Sequence, residues 1–352
     1  MIHSHDSNGL RRFSRLSWRS KDALHFDAAR DESQPMVTSF GLAVIDEIHF
    51  GDEHAVTGVL GGSGSYFTAG ARIFCGGDDA KNVAWRVHAG EDFPLDVEAG
   101  LLKWQVDICI QKFKGHKSTR GLLVYFDGTF GPTSPDMQRD ATELRHLITM
   151  RTDKPGRDET LIIWEPAPPS CLPGNLAACF EAARTVDVFS PNHIELLRLF
   201  GLGAETHDKR VLESLATAFL QSGIGREGNG LVVVRAGEHG SLSMKRGSPP
   251  CWQTPFYNGD SDVTGKVVDT TGAGNAFLGG LAVGLVRKKS LSEASRFGAV
   301  AASFTLEQIG LPVLDVGKHT EFWNGDTPTM RLDVLRSRER ETDPSIELPT
   351  CY

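Results

Sequence analysis

Apolar positions fall into short β-prone runs in the first third of the chain and into alternating strand-length and helix-length blocks from Leu161 onward. Met36–Ile45, with Gly41 inside it, is followed by Asp46-Glu47-Ile48-His49-Phe50 and then by Val56–Leu60, which predicts strand, turn and strand. A helix opens within Gly61–Ala71. Val83–Gly90 predicts a strand, and Ile108–Phe113 and Gly121–Phe126, separated by a polar turn, predict a strand pair ending in Asp127-Gly128. A lone Asp at a strand end suits a turn, and Asp127 is read so.

From Leu161 the blocks become strand Leu161–Trp164, helix Leu176–Arg184, strand Val186–Phe189, helix Lys209–Gln221 and strand Leu231–Val234. Strands alternating with helices predict an α/β protein with a parallel sheet. Val267-Val268 then turns through Gly272-Ala273-Gly274 into a glycine-rich helix, and Leu291–Ile309 is a further helix of small residues.

The ends differ from this pattern. Residues 1–35 carry Arg11, Arg12, Arg15, Arg19 and Lys21 among serines, then Asp27, Asp31 and Glu32, and predict a disordered or loosely docked tail. Asp6 is the sole acid of the first twenty residues, so a mitochondrial presequence is the alternative reading. Residues 331–352, with Arg336, Arg338, Arg340 and Pro344, predict a charged, mobile tail, leaving 36–330 as the folded domain.

Composition narrows the functional classes. A chain of 352 residues that is 40% hydrophobic has ample material for a core. It lacks the long apolar run of a membrane span and a secretory start, so a soluble, cytoplasmic protein with no membrane partner is expected. A net charge of −8 argues against nucleic acid as a partner. The six cysteines are scattered without C-x-x-C or zinc spacing, which suits buried or surface thiols in a reducing compartment. Gly62-x-Gly64 imitates a dinucleotide fingerprint, but Phe67 stands at its third glycine position. Gly259 lies one residue too far from Gly265-Lys266 for a phosphate-binding P-loop.

The candidate chemistry lies at Gly272, Ala273 and Gly274. Small residues at a helix start leave the first backbone N–H groups bare, and these favour an anion such as a phosphoryl group. The plainer alternative is a tight turn before a packed helix, because Gly279, Gly280 and Gly284 also permit close helix contact. The fuller run Asp269-Thr270-Thr271-Gly272-Ala273-Gly274 closely resembles the C-terminal signature of the PfkB, or ribokinase-like, family of sugar and nucleoside kinases. With Asn275 after Gly-Ala-Gly, the pattern also resembles the fungal killer-maintenance branch of PfkB-like proteins.

The resemblance covers about residues 36–315 and implies a three-layer α/β/α sandwich with a mostly parallel central sheet and a small antiparallel β lid, drawn from about 46–60 and 108–127. It implies ATP and Mg²⁺ as cofactors, a small-molecule acceptor, and a homodimer formed through the lid. It places Asp46, five residues after Gly41, with Gly61, Gly62 and Ser65 around the acceptor. Asn192, Glu195, Arg235, Gly237 and Gly240 fall on the nucleotide side, Glu195 holding Mg²⁺ through water, and Asp269 and Thr271 match positions where some members bind K⁺. Asn192 and Glu195 alone also fit a helix N-cap.

Several departures stand out. The family has its general base, Asp, where this chain has Asn275; Asn where it has Glu165; Thr where it has Arg235; and Asn near the helix start where it has Ser65 and Tyr66. Three functions remain open: ATP-dependent phosphoryl transfer weakened or altered by Asn275, with Asp46 as a substitute carboxylate; a pseudokinase that senses a nucleotide or metabolite; and other chemistry on a phosphate-bearing ligand. Because Asp and Asn are nearly isosteric, Asn275→Asp is expected to fit with little strain and to raise a debased kinase by about 10²-fold.

Overall fold

The computed structural model describes residues 36–50, 55–125, 136–139, 146–151, 160–203, 208–225, 227–258, 265–318 and 320–342. The expected N-terminal tail, Asp127 and residues 343–352 lie outside them. The strands are β1 (Val37–Ser39), β2 (Val44–Phe50), β3 (Ala55–Gly61), β4 (Val83–Gly90), β5 (Asp107–Phe113), β6 (Arg120–Tyr125), β7 (Asp136–Arg139), β8 (His146–Arg151), β9 (Thr160–Glu165), β10 (Val188–Phe189), β11 (Leu231–Arg235), β12 (Ser241–Lys245), β13 (Cys251–Gln253), β14 (Leu314–Val316) and β15 (Glu321–Trp323). The helices are α1 (Ser63–Arg72), α2 (Leu95–Leu102), α3 (Leu176–Ala183), α4 (His193–Leu199), α5 (Lys209–Ser222), α6 (Ala273–Val286), α7 (Leu291–Thr305) and α8 (Pro328–Thr342).

A nine-stranded sheet runs in the order β13-β12-β11-β10-β9-β8-β1-β4-β5, with only β8 and β12 opposed to the common direction. Successive side chains of a strand face opposite sides, and the core divides accordingly. Val188 and Val233 join the apolar layer built with α1, α6 and α7, whereas Phe189, Val232 and Val234 join the layer with α3, α4 and α5. The sheet is therefore covered on both faces, as a largely parallel sheet requires. A second sheet, β3-β2-β6-β7, is antiparallel except where β2 and β6 run parallel, and forms the lid.

Three expectations are corrected. Met36–Ile45 is not one strand: β1 belongs to the large sheet and β2 to the lid, so Asp46 lies within a strand rather than in a turn. Ile108–Phe113 does not pair with Gly121–Tyr125; β5 lies parallel to β4 at the edge of the large sheet, and β6 alone enters the lid. The parallel pairing depends on the α2 crossover, whose eight residues bury only Leu101 and carry little helical periodicity. Lastly, residues 331–342 are no tail. They form most of α8, with Leu332 and Leu335 buried and Arg331 and Glu339 held in internal ion pairs.

Helices α1, α6 and α7 approach closely through glycine. A Cβ on Gly279 would lie 2.1 Å from the Phe67 carbonyl in α1, and one on Gly280 2.4 Å from the Phe297 carbonyl in α7. The packing reading and the anion reading of this helix thus use different glycines.

Candidate active site

Gly272 caps α6 in the left-handed region, at φ 77°, and a Cβ there would also strike the Tyr66 ring at 2.2 Å. The turn leading to it is fastened by Asp269, buried, whose Oδ1 accepts from the Thr271 N–H at 2.9 Å and from the Tyr125 hydroxyl at 2.9 Å. Tyr125 ends β6, so a lid strand is tied directly to the start of α6. Asp269 and Thr271 therefore stand together at the foot of the anion loop, where the resemblance sets K⁺.

Asp46 is buried in β2 and wedged between glycines of both neighbouring strands. A Cβ would meet its carboxylate at 1.8 Å from Gly61 and at 2.0 Å from Gly121. Tyr66 joins this region to the anion loop: burial above all, then the charges of Asp269 and Asp46, push its phenol far above the usual range. Burial does the same to Tyr125, with both aspartates adding to the effect. Neither phenol is a source of negative charge near neutral pH, and the Tyr125 hydroxyl donates to Asp269.

Gly62, at φ 92°, is the N-cap of α1, and a Cβ on it would meet the Leu42 carbonyl at 2.6 Å. Ser65 is fully buried and donates to the Gly61 and Gly62 carbonyls at 2.8 and 2.6 Å, so its hydroxyl braces the glycine turn. At this helix start it is Tyr66 that reaches the Gly-Ala-Gly turn.

On the other side, Asn192 and Glu195 form a complete capping box for α4. The Asn192 N–H donates to Glu195 Oε2 at 2.7 Å, and the Glu195 N–H to Asn192 Oδ1 at 2.8 Å. Gly237 and Gly240 hold the turn after β11 at positive φ, 57° and 85°. At the end of that strand Arg235 turns inward. Its Nη1 pairs with Glu165 Oε1 at 2.7 Å, while Nη2 lies 3.5 Å from Glu195 Oε2 and donates to the Ser190 carbonyl at 3.1 Å. The same Nη1 lies 2.3 Å from where a Cβ on Gly274 would be, so the guanidinium rests against the start of α6.

This is an unusual place for a cation, because the helix dipole presents positive charge there too. Glu165 and Glu195 offset the conflict. Two carboxylates share one guanidinium in a buried space, so the second ionises reluctantly: burial first, helped by Glu165 and opposed by Arg235, pushes Glu195 up to about 7. Arg235 Nε is buried and has no hydrogen-bond partner among the described residues.

Asn275 completes the network by donating from Nδ2 to Glu165 Oε2 at 2.5 Å. Asn275→Asp, expected to fit because Asp and Asn are nearly isosteric, would also set a second carboxylate against Glu165. Sequence reasoning noted Glu165 as a departure but omitted it from the candidate site residues, along with Tyr66 and Tyr125. Glu165 carried a signal, its position at a strand end ahead of a proline-rich turn, and Tyr66 carried one too, standing with Ser65 near the helix start where the family has Asn; Tyr125 carried none beyond lying in an apolar run. Among the described residues no group of three or more His, Cys, Asp or Glu is arranged to hold a metal ion.

Comparison with known proteins bears on the fold. Residues 154–313 match the pfkB family carbohydrate kinase model. An uncharacterized protein of Schizosaccharomyces pombe is 29% identical over 331 residues, covering 83% of this chain and 90% of the relative. Protein MAK32 of Saccharomyces cerevisiae is 28% identical over 346 residues, 87% of this chain and 93% of its own length. The solved ribokinase of Giardia lamblia superposes with a TM-score of 0.57 at 14% identity, covering 87% of this chain and 99% of that one.

Proposed function

We propose that this chain, a PfkB-like protein with a ribokinase-like fold, transfers the γ-phosphoryl group of ATP to a hydroxyl of a sugar-like or nucleoside-like molecule. The observation that carries the reading is Arg235, buried against Gly274 at the bare start of α6 with Nε unpartnered. Helix N–H groups and a guanidinium converging on one point suit a phosphate, which takes several charge-assisted hydrogen bonds at once.

The residues present fit a nucleotide. Arg235 and the N–H groups of Gly274 and Asn275 would take the phosphates, with Asn192, Gly237 and Gly240 beside them. Mg²⁺ commonly keeps several waters and uses one or two carboxylates, and Glu195 fits such a water-mediated contact. When bound, ATP and the metal supply an activated phosphoryl group with part of its charge neutralised. Asp46 would orient the acceptor over Gly61 and Gly62, Tyr66 would close the wall beside Gly272, and the Tyr125–Asp269 bond would hold the lid over the loop and exclude water. K⁺ at Asp269 and Thr271, a homodimer through the lid and a cytoplasmic location remain part of the same reading.

One observation favours the pseudokinase reading: Arg235 is already neutralised by Glu165 and Glu195, an arrangement complete without substrate. Recruitment of the site for other phosphate-ligand chemistry draws on the same pocket. A thermal-shift series with ATP, ADP, AMP and nucleosides, with and without Mg²⁺, tests the shared premise. At a hundredfold excess over Kd a ligand adds about 2.7 kcal/mol to stability, so ATP or ADP should raise Tm in the native protein and far less in Arg235→Ala. No shift at millimolar nucleotide would remove the kinase and nucleotide-sensor readings together.

A further inference from the structure

Glu165, Arg235 and Asn275 occupy three positions at which the chain departs from the family pattern, and the fold brings them into one contact set. Glu165 ends β9, Arg235 ends β11 and Asn275 lies in the first turn of α6. Arg235 Nη1 fixes Glu165 Oε1, and the Asn275 amide donates to Oε2. The site thus retains one carboxylate within a hydrogen bond of residue 275, supplied by the facing strand.

We propose that Glu165 is the catalytic base of this site, replacing a carboxylate at position 275. The proposal rests on the phosphoryl-transfer reading above. The acceptor hydroxyl oxygen bonds to the γ-phosphorus as the bond from that phosphorus to the bridging oxygen breaks, with its electron pair leaving on ADP. The hydroxyl proton passes to Glu165 Oε2 and from there to solvent. Asn275 Nδ2 holds Oε2 in place, and Arg235 Nη1 holds Oε1.

The exchange explains why these residues occur together. Two carboxylates within 2.5 Å, the Asn275–Glu165 separation, cannot both ionise without a large cost, so Glu at 165 and Asp at 275 are alternatives. An amide at 275 turns that conflict into a hydrogen bond. Arg235, placed where the family has Thr, supplies the countercharge that a largely desolvated, partly buried Glu165 requires. Asp46 is a poorer candidate because it is wedged between Gly61 and Gly121 in the lid.

The test measures ADP formation from Mg²⁺-ATP with D-ribose, D-fructose and adenosine as acceptors, over pH 5–9, for native protein, Glu165→Gln, Asn275→Asp and the double variant Glu165→Asn/Asn275→Asp. Glu165→Gln should lower kcat by about 10²-fold with little change in KM for ATP, and should lose the acid limb of the kcat profile. Asn275→Asp alone should also be slower, and the double variant should recover to within about tenfold of native, a reciprocal rescue that a merely structural residue does not give. If Glu165→Gln does not fold, the double variant compared with Asn275→Asp carries the same test. Native turnover with Glu165→Gln undiminished, or with no recovery in the double variant, overturns the proposal and leaves phosphoryl transfer standing. Native protein that forms no ADP above the blank with any acceptor overturns both.

Discussion

Glu195 combines a structural and an electrostatic position in one side chain. It closes the α4 capping box and flanks Arg235, and burial holds it protonated up to about 7. A carboxyl group with a raised folded-state pKa binds more protons when folded than when unfolded, so its contribution falls as pH rises from about 4.5 through 7. Glu195→Gln, which keeps an acceptor for the Asn192 N–H, should therefore gain on the native protein as pH rises from 5 to 7.5. Melting temperatures of the two proteins across that range check this, and parallel curves would contradict it. The Asn192/Glu195 spacing was legible in the sequence because a cap is local. The ties between Asn275 and Glu165, 110 positions apart, and between Glu165 and Arg235 were not. The three departures stood as separate positions in the sequence until the fold made them neighbours.

At the scale of elements, legibility followed periodicity. Val83–Gly90 and the alternation after Leu161 coincide closely with β4, β9, α3, α5 and β11, because regular apolar spacing marks both kinds of element. Short or half-exposed pieces escaped: α2, the edge strand β13 and its neighbour β12, and α8, whose charges point inward as well as outward. Glu339 in α8 accepts from Arg296 at 2.7 Å, and also from Gln253 and Thr254. Glu339→Ala should cost about 3 kcal/mol by leaving a buried guanidinium underpaired, whereas a mobile tail would make it neutral. The helix crossings give a paired test by denaturant titration. Gly279→Ala meets the Phe67 carbonyl and the Ala71 N–H of α1, at 2.1 and 2.6 Å, and should cost about 1–3 kcal/mol. Gly100→Ala in α2 meets nothing within 4 Å and should stabilise by about 0.5–1 kcal/mol.

Across the molecule, the large sheet and the lid meet at the loop before α6. Tyr125 brings β6 onto Asp269, and Tyr66 fills the space between Gly272 and the Asp46 side of the lid. Tyr125→Phe removes one of the two hydrogen bonds shown to Asp269 Oδ1 and should lower stability by about 1.5–3 kcal/mol, read as a shift in denaturation midpoint. The ribokinase-like architecture was legible from motif order alone, whereas the course of the chain between the two sheets was not, because β-prone runs do not declare which sheet they join. The most direct test of phosphoryl transfer by this chain is mass spectrometry of acceptors incubated with Mg²⁺-ATP labelled at the γ-phosphate. The account predicts one labelled phosphoryl group on a hydroxyl of a sugar or nucleoside, formed in step with ADP and suppressed in Arg235→Ala. Saturable binding of ATP by native protein, with no labelled product on any sugar or nucleoside tested, would contradict it.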